Sequence, residues 1–300
     1  MHRMLATVET FEELVRRGQD STPYDYPTMF PADGFWARRA SQKRLKLLKT
    51  IDEPLRAMLH PGERVLFLTA GAFYSFVESY FAGSIILYAN RRAIVLTTER
   101  ILLLQIDRGG RLRALRSQVG LRSIEAFSRT ALGNSVLKLA DGRRYTFAYV
   151  RRRDRKALSD LTPMAIARAT AGGTGQGLEH LCPHCYVPVK NEPAACPSCG
   201  GAFKSRRKAT LLSLLFPGLG MMYLGHPGIG AFEAFVGALI WFANLTSPGV
   251  LTSLPVLITT VILIVLVFHG IDALVTRHIA GKGCYPAGGR PAALGAVAAS

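Results

Sequence analysis

Charge is what the last third of this sequence lacks. Between Lys208 and Asp272 the only formally charged residue is Glu233, a paucity that no ordinary water-facing surface shows. Acids are scarce throughout, 20 against 37 Lys and Arg, which leaves a formal net charge of +17 over 300 residues. Hydrophobic residues make up 49% and the mean hydropathy is +0.20, so charge and oil must occupy different parts of the chain. Cysteine is scarce too: there are five, four of them within one short stretch, which excludes a disulfide-stapled scaffold. Missing as well are a nucleophile elbow, a His-Glu-x-x-His helix, a Gly loop leading into Lys-Ser/Thr, and paired acids in a catalytic setting. The chain therefore reads as a non-enzyme. The start, "MHRMLATVETFEELVRR", carries no apolar core before a small-residue cleavage site, so the N-terminal portion is expected to stay in the cytoplasm.

What is present falls into segments. Residues 1–60 are a mixed helical and irregular region. In it "VETFEELVRR" puts Val8, Phe11 and Leu14 on one helical face with Thr10 as cap, and "STPYDYPTMFPADGF" reads as a Pro-broken loop. "SQKRLKLLKTIDEPLRAMLH" is again amphipathic through Leu45, Leu48 and Ile51, with Pro54 set to kink it. From Pro61 the period shortens. "RVLFLTAGAF", "SIILYANRRAIVLTTERILLLQID", "GLRSIEAFS" and "SVLKLADGRRYTFAYV" read as strands. The turns between them fall at Asn90-Arg91, Gly109-Gly110, Gly133-Asn134 and Asp141-Gly142. The basic run "RRRDRKALSDLTPMAIARAT" then predicts a helix that closes a small antiparallel sheet or barrel over 61–170. "AGGTGQG" marks a flexible linker, 171–179, because it does not lead into Gly-Lys-Ser/Thr.

The pattern "ANRRAIVLTTERILLLQ", a strand, a Thr-x-x-Arg turn and a second apolar strand, resembles the bacterial pleckstrin-homology-like domains over about 60–160. The resemblance implies a binding or assembly scaffold, with a protein partner or self-association through this domain. Phosphoinositide binding does not carry over, since no matching basic pocket motif is present.

Residues 180–203 hold Cys182-x-x-Cys185 and Cys196-x-x-Cys199, ten residues apart. Each pair aims two sulfurs at one point, and the insert suffices for a hairpin that brings the pairs together. Four thiolates give a closed tetrahedral zinc site with no open position for water, so the metal is structural. A pair of redox dithiols is the alternative, and it suits a single C-x-x-C at a strand–helix junction better. Gly200 permits the knuckle backbone, and His184 reads as a surface residue. "CPSCGGAF" resembles the zinc-ribbon family.

The basic flank Lys204, Arg206, Arg207 and Lys208 precedes three apolar pieces within 209–276. Such a flank is the positive-inside signal and suits anionic lipid headgroups; with only Phe203 nearby, nucleic acid is disfavoured. "FPGLGMMYLGHPGIGAFE" resembles the TM2 domain family, whose Gly-rich turn ends in Tyr-Leu-Gly, matched by Tyr223, Leu224 and Gly225. Met221 and Met222 stand where many members carry polar residues. Arg277, Lys282 and Arg290, in or beside the 277–300 tail, favour the cytoplasm for that end as well. The number of crossings is then even: 229–246 and 250–269 cross and 209–224 lies shallow or re-entrant, with three spans as the alternative. Trp241, Phe242 and Tyr223 suit the interface. Glu233 is an intramembrane acid; one turn past Pro227-Gly228 it can also reach the headgroups. Cys284 is either acylated or idle.

The sequence thus points to an α+β multidomain chain in the cytoplasmic membrane, multi-pass, with its N-terminal domains in the cytoplasm. Its expected work is non-enzymatic binding or assembly at the bilayer. A membrane-tethered nucleic-acid-binding regulator, and an enzyme or transporter using Glu233, are the alternatives.

Overall fold

The computed structural model describes residues 23–30, 35–75, 78, 80, 86–131, 133–169, 177–191, 193–251 and 253–288. The helix expected at 8–17, most of the 171–177 linker and Arg290 lie outside them. The fold is α+β. Nine strands are ordered β5-β6-β7-β1-β2-β3-β4-β8-β9 by their hydrogen bonds. One compact unit takes in the described residues up to Tyr74, then 90–113 and 117–179; the second takes in those of 75–89, 114–116 and from His180 onward.

In the first unit, helix α1 (Phe35–Arg56) precedes β1 (Val65–Tyr74), β2 (Arg91–Thr97), β3 (Arg100–Ile106), β4 (Leu112–Gly120), β5 (Ile124–Arg129), β6 (Ser135–Leu139) and β7 (Arg144–Ala148). Helix α2 (Arg152–Arg168) then closes the sheet, as the basic run predicts. Strands β1–β2, β2–β3, β5–β6, β6–β7 and β1–β7 pair antiparallel. Every residue of β3, and of β2 after Arg91, is buried, which explains why they read as unbroken apolar runs rather than as an alternation. The β6–β7 hairpin turns at Asp141-Gly142, with Gly142 at φ +84°. The core gathers Phe67, Ile94, Ile101, Phe127, Leu137 and Phe147 from the sheet with Leu158 and Ala165 from α2.

Three details depart from the sequence reading. The "SIIL" stretch, expected as strand, ends in a helical turn at Ile86–Ala89. A short turn of helix, Tyr26–Met29, sits inside the Pro-broken loop, with the Asp25 side chain capping Thr28 N and Pro27 in its first turn. Strand β4 is unsignalled, because Arg113 and Arg116 interrupt any clean alternation. In α1, Pro54 lies in the last turn and the helix runs on to Arg56.

The Thr-x-x-Arg turn is built as a polar knot. Thr97 Oγ1 accepts from Arg100 N (3.0 Å) and donates to Glu63 Oε1 (2.6 Å). Arg100 grips both Glu63 oxygens (3.0 and 2.8 Å), the Met58 carbonyl (2.7 Å) and Gln118. Burial pushes Glu63 up, but these donors outweigh it and hold its carboxyl below its ordinary value. A second buried link joins α1, β1 and α2: Arg44 Nη2 meets Asp154 Oδ1 at 2.9 Å and Thr69 donates to Asp154 Oδ2 at 2.7 Å. That use of Asp154 explains why an acid sits inside "RRRDRK".

Strand β8 (Leu178–Leu181) runs from the first unit into the second, which holds its paired end His180–Leu181 with β9 (Pro188–Val189), then α3 (Arg206–Leu215), α4 (Leu219–Leu224), α5 (Pro227–Leu245) and a 27-residue helix α6 (Leu254–Ala280). Ser205 caps α3 at Lys208 N, and Pro227 opens α5. Pro217 and Gly218 break α3 from α4, where Gly218 sits at φ +84°. Gly218 and Gly230 meet backbone to backbone, so a Cβ on either would collide with the other's carbonyl oxygen. Helix α6 contains a π-helical stretch at Ile264–His269. Helices α5 and α6 are long and apolar enough to cross a membrane, and only 11% of the most apolar window of each is buried.

Candidate metal centre and the helices beside it

Two matching knuckles build the cysteine cluster. After each first cysteine the chain turns back so that the amide four residues on reaches its carbonyl: Tyr186 N to Cys182 O (3.1 Å) and Gly200 N to Cys196 O (2.9 Å). The turning residues share one left-handed backbone, Tyr186 at φ +63° and Gly200 at φ +70°. Glycine adopts it freely; Tyr186 does so with its ring under the Arg116 guanidinium, 5.2 Å from the centroid. The β8–β9 pairing and the amide of Cys196 on Gly201 O bring the knuckles face to face.

All four Sγ atoms lie within 4.8 Å of one another, with Cys182–Cys199 at 3.7 Å and Cys185–Cys196 at 3.6 Å. A tetrahedral ion bound at about 2.3 Å spaces its sulfurs about 3.8 Å apart, so the donor set fits a closed metal site. Burial pushes the Cys182 and Cys185 thiols up, whereas at Cys196 burial is outweighed by hydrogen bonds from the Cys199 and Ser198 amides, which bring it down to about 7. His184 supplies its amide to Cys182 Sγ (3.4 Å) while its ring packs against Gly201, so its side chain is half-buried rather than a fifth donor. Cys284 is buried against the same cluster, a neighbour the sequence spacing does not reveal.

That neighbour arrives because the chain returns after α6. Lys204 N donates to Tyr285 O (2.8 Å), Ala287 N donates to Ala202 O (2.9 Å), and Phe203 bridges Pro286. Arg206 Nε adds a bond to Arg277 O (3.0 Å), at the last turn of α6. The residues just before the apolar helices are thus hydrogen-bonded to those just after them.

The predicted basic flank divides by role. Arg206 clasps α6. Lys204 and Lys208 each hold their ammonium group against the Tyr223 ring, 5.6 and 5.4 Å from its centroid, and Arg207 is exposed. Between the helices, Trp241 Nε1 donates to His269 Nε2 (3.0 Å), whose Nδ1 faces Leu214 O (2.9 Å). Ser213 and Thr276 hydroxyls meet at 2.8 Å, and Gly218 N donates to Asp272 Oδ2 (3.1 Å). Glu233 is half-buried; its Oε2 is enclosed and has no hydrogen-bond partner among the described residues, with Asp272 as its electrostatic neighbour. Trp241 therefore bonds inside the helix cluster, where the sequence suits it to a bilayer interface.

A second grouping of potential ligands, His60, Glu63 and Glu99, has its donor atoms within 4.8 Å. Both Glu63 oxygens are already taken by Arg100, Thr97 and His60 N, and His60 Nδ1 meets Glu99 at 2.7 Å, so this is an ion-pair knot rather than an open ligand set. No family model matches the chain, and no curated protein matches it.

Proposed function

We propose that this protein is a non-enzymatic membrane anchor and assembly scaffold. Helices α5 and α6 cross the bilayer as a pair, α3 and α4 lie shallow, and a structural zinc ribbon together with the PH-like sheet domain faces the cytoplasm. The observation that carries this reading is the pairing of Lys204 with Tyr285 and of Ala202 with Ala287 around the two apolar helices. Chain ends joined by hydrogen bonds share one side of a membrane, which requires an even number of crossings. The lipid-facing character of the helices supports it: Phe232, Phe235, Phe242, Leu254, Leu266 and Leu274 are each more than half exposed, a surface that water would penalise. Zinc is the best fit for four thiolates at these spacings, and such a centre leaves no position for substrate. The sheet domain offers its partner no phosphoinositide motif, so protein contacts or self-association are its proposed business.

Protease protection of tags at Met1 and Ser300, with a third at Ser247 between α5 and α6, tests the arrangement. In inside-out vesicles the two terminal tags are cleaved together and the central tag is protected. Cleavage of only one terminal tag contradicts the reading.

A second reading has one observation in its favour. The enclosed, unpartnered Glu233 Oε2 beside Asp272 is the kind of intramembrane carboxyl that carries protons or ions. Loss of proton flux across proteoliposomes in Glu233→Gln supports it; an absence of flux in the unaltered chain rejects it.

A further inference from the structure

We propose that Lys204 and Lys208, held over Tyr223, form a binding site for the phosphate of an anionic phospholipid at the ribbon side of the bilayer. This rests on the anchoring reading above and names a partner for its basic flank.

Three observations carry it. First, the lysines are organised by the fold rather than scattered along a flank: Lys204 is fixed through its amide to Tyr285 O, Lys208 through its amide to Ser205 Oγ (3.3 Å), and Tyr223 through its hydroxyl to Ser205 N (3.1 Å). Both ammonium groups pack on the same ring, 5.6 and 5.4 Å from its centroid. Second, among the described residues neither ammonium meets a carboxylate, although Lys204 is half-buried and burial lowers its hold on its proton. The described acids of this unit are Glu78, Glu233 and Asp272; Glu78 is engaged by Lys282 and His278, and the other two lie among the apolar helices. Two cations held on one ring, with no carboxylate on either among the described residues, suit an anion from outside. Third, the site stands where a headgroup stands: Lys208 lies in the first turn of α3, and Leu211, Leu214 and Leu215, further along it, are exposed to the acyl region. Arg206, already clasped to Arg277 O, is not part of the site.

Native mass spectrometry of the full chain, released from detergent with equimolar phosphatidylglycerol and phosphatidylcholine, reads the preference directly. The unaltered chain should retain phosphatidylglycerol preferentially. Lys204→Gln/Lys208→Gln should lower that preference by about tenfold or more. Lys204→Arg/Lys208→Arg should keep it, and Lys190→Gln on the ribbon should leave it unchanged. Unaltered elution and circular dichroism of the Gln pair show that the fold survives. Equal retention of both lipids by the unaltered chain, or full retention by the Gln pair, overturns the proposal. Displacement of the lipid by millimolar inorganic phosphate overturns the lipid as source, and displacement by a duplex oligonucleotide reassigns the lysines to nucleic acid. Carbonate extraction of membranes separates the two failures. A chain that stays in the pellet without lipid preference loses only this proposal, whereas a chain that is extracted loses the anchoring reading itself.

Discussion

Single residues carry the candidate metal centre and the turn of the sheet domain. Cys182, Cys185, Cys196 and Cys199 were legible because the ligand pattern is local: two short turns and a hairpin insert fix it without reference to the rest of the fold. Cys284 was not legible, since its place beside the cluster depends on the return of the chain after α6. Replacing any of the four by Ser is expected to abolish bound zinc by elemental analysis, while Cys284→Ser leaves the zinc content unchanged. Retained zinc in a Cys196→Ser chain would refute the ligand set. Gly200→Ala should cost about 1–2 kcal/mol at the ribbon, because its φ of +70° disfavours a side chain. Glu63 gives the pH dependence of the other unit. Its folded value is depressed, so its contribution is present above the ordinary carboxylate range and is lost as pH falls through the folded value. Hydrogen-exchange protection of the Glu99 and Arg100 amides should fall in that acid window, and Glu63→Gln should abolish this dependence. Arg100→Ala, which strands a buried carboxylate, should cost about 3–5 kcal/mol in denaturant unfolding.

Elements were legible where one period dominates. The amphipathic spacing of Leu48 and Ile51 marks α1, the Asp141-Gly142 signal marks the β6–β7 hairpin, and the charge-poor apolar runs mark α5 and α6. Strand β4 escaped because Arg113 and Arg116 break its alternation, and Ile86–Ala89 misled because a short β-branched and aromatic run reads the same in either state. Helix α6 also begins later and runs further than the expected 250–269. Pro255 sits in its first turn, where a missing N–H costs nothing, and the helix continues to Ala280. The backbone contact of Gly218 with Gly230 brings α4 close against α5, where Met221, Leu224 and Ile229 pack in one cluster. Gly230→Leu has no room and should destabilise the helix cluster by about 1–3 kcal/mol or more, read as a lower melting temperature in detergent. An unchanged melting temperature would mean that α4 does not pack there in solution.

At the scale of the whole molecule, segregation of charge from oil was the most legible property of the sequence. The pairing that gives it meaning was invisible: Lys204 with Tyr285 and Ala202 with Ala287 join residues far apart in sequence, and no local pattern encodes a contact of that kind. The sequence offered a charge rule for an even number of crossings, and those hydrogen bonds supply an independent geometric reason for the same proposal. What everything else depends on is that α5 and α6 sit in lipid. Alkaline carbonate extraction of membranes from cells making the full chain tests this most directly. The account predicts that the protein stays entirely with the membrane pellet and leaves it only on addition of detergent; recovery in the carbonate supernatant would contradict it.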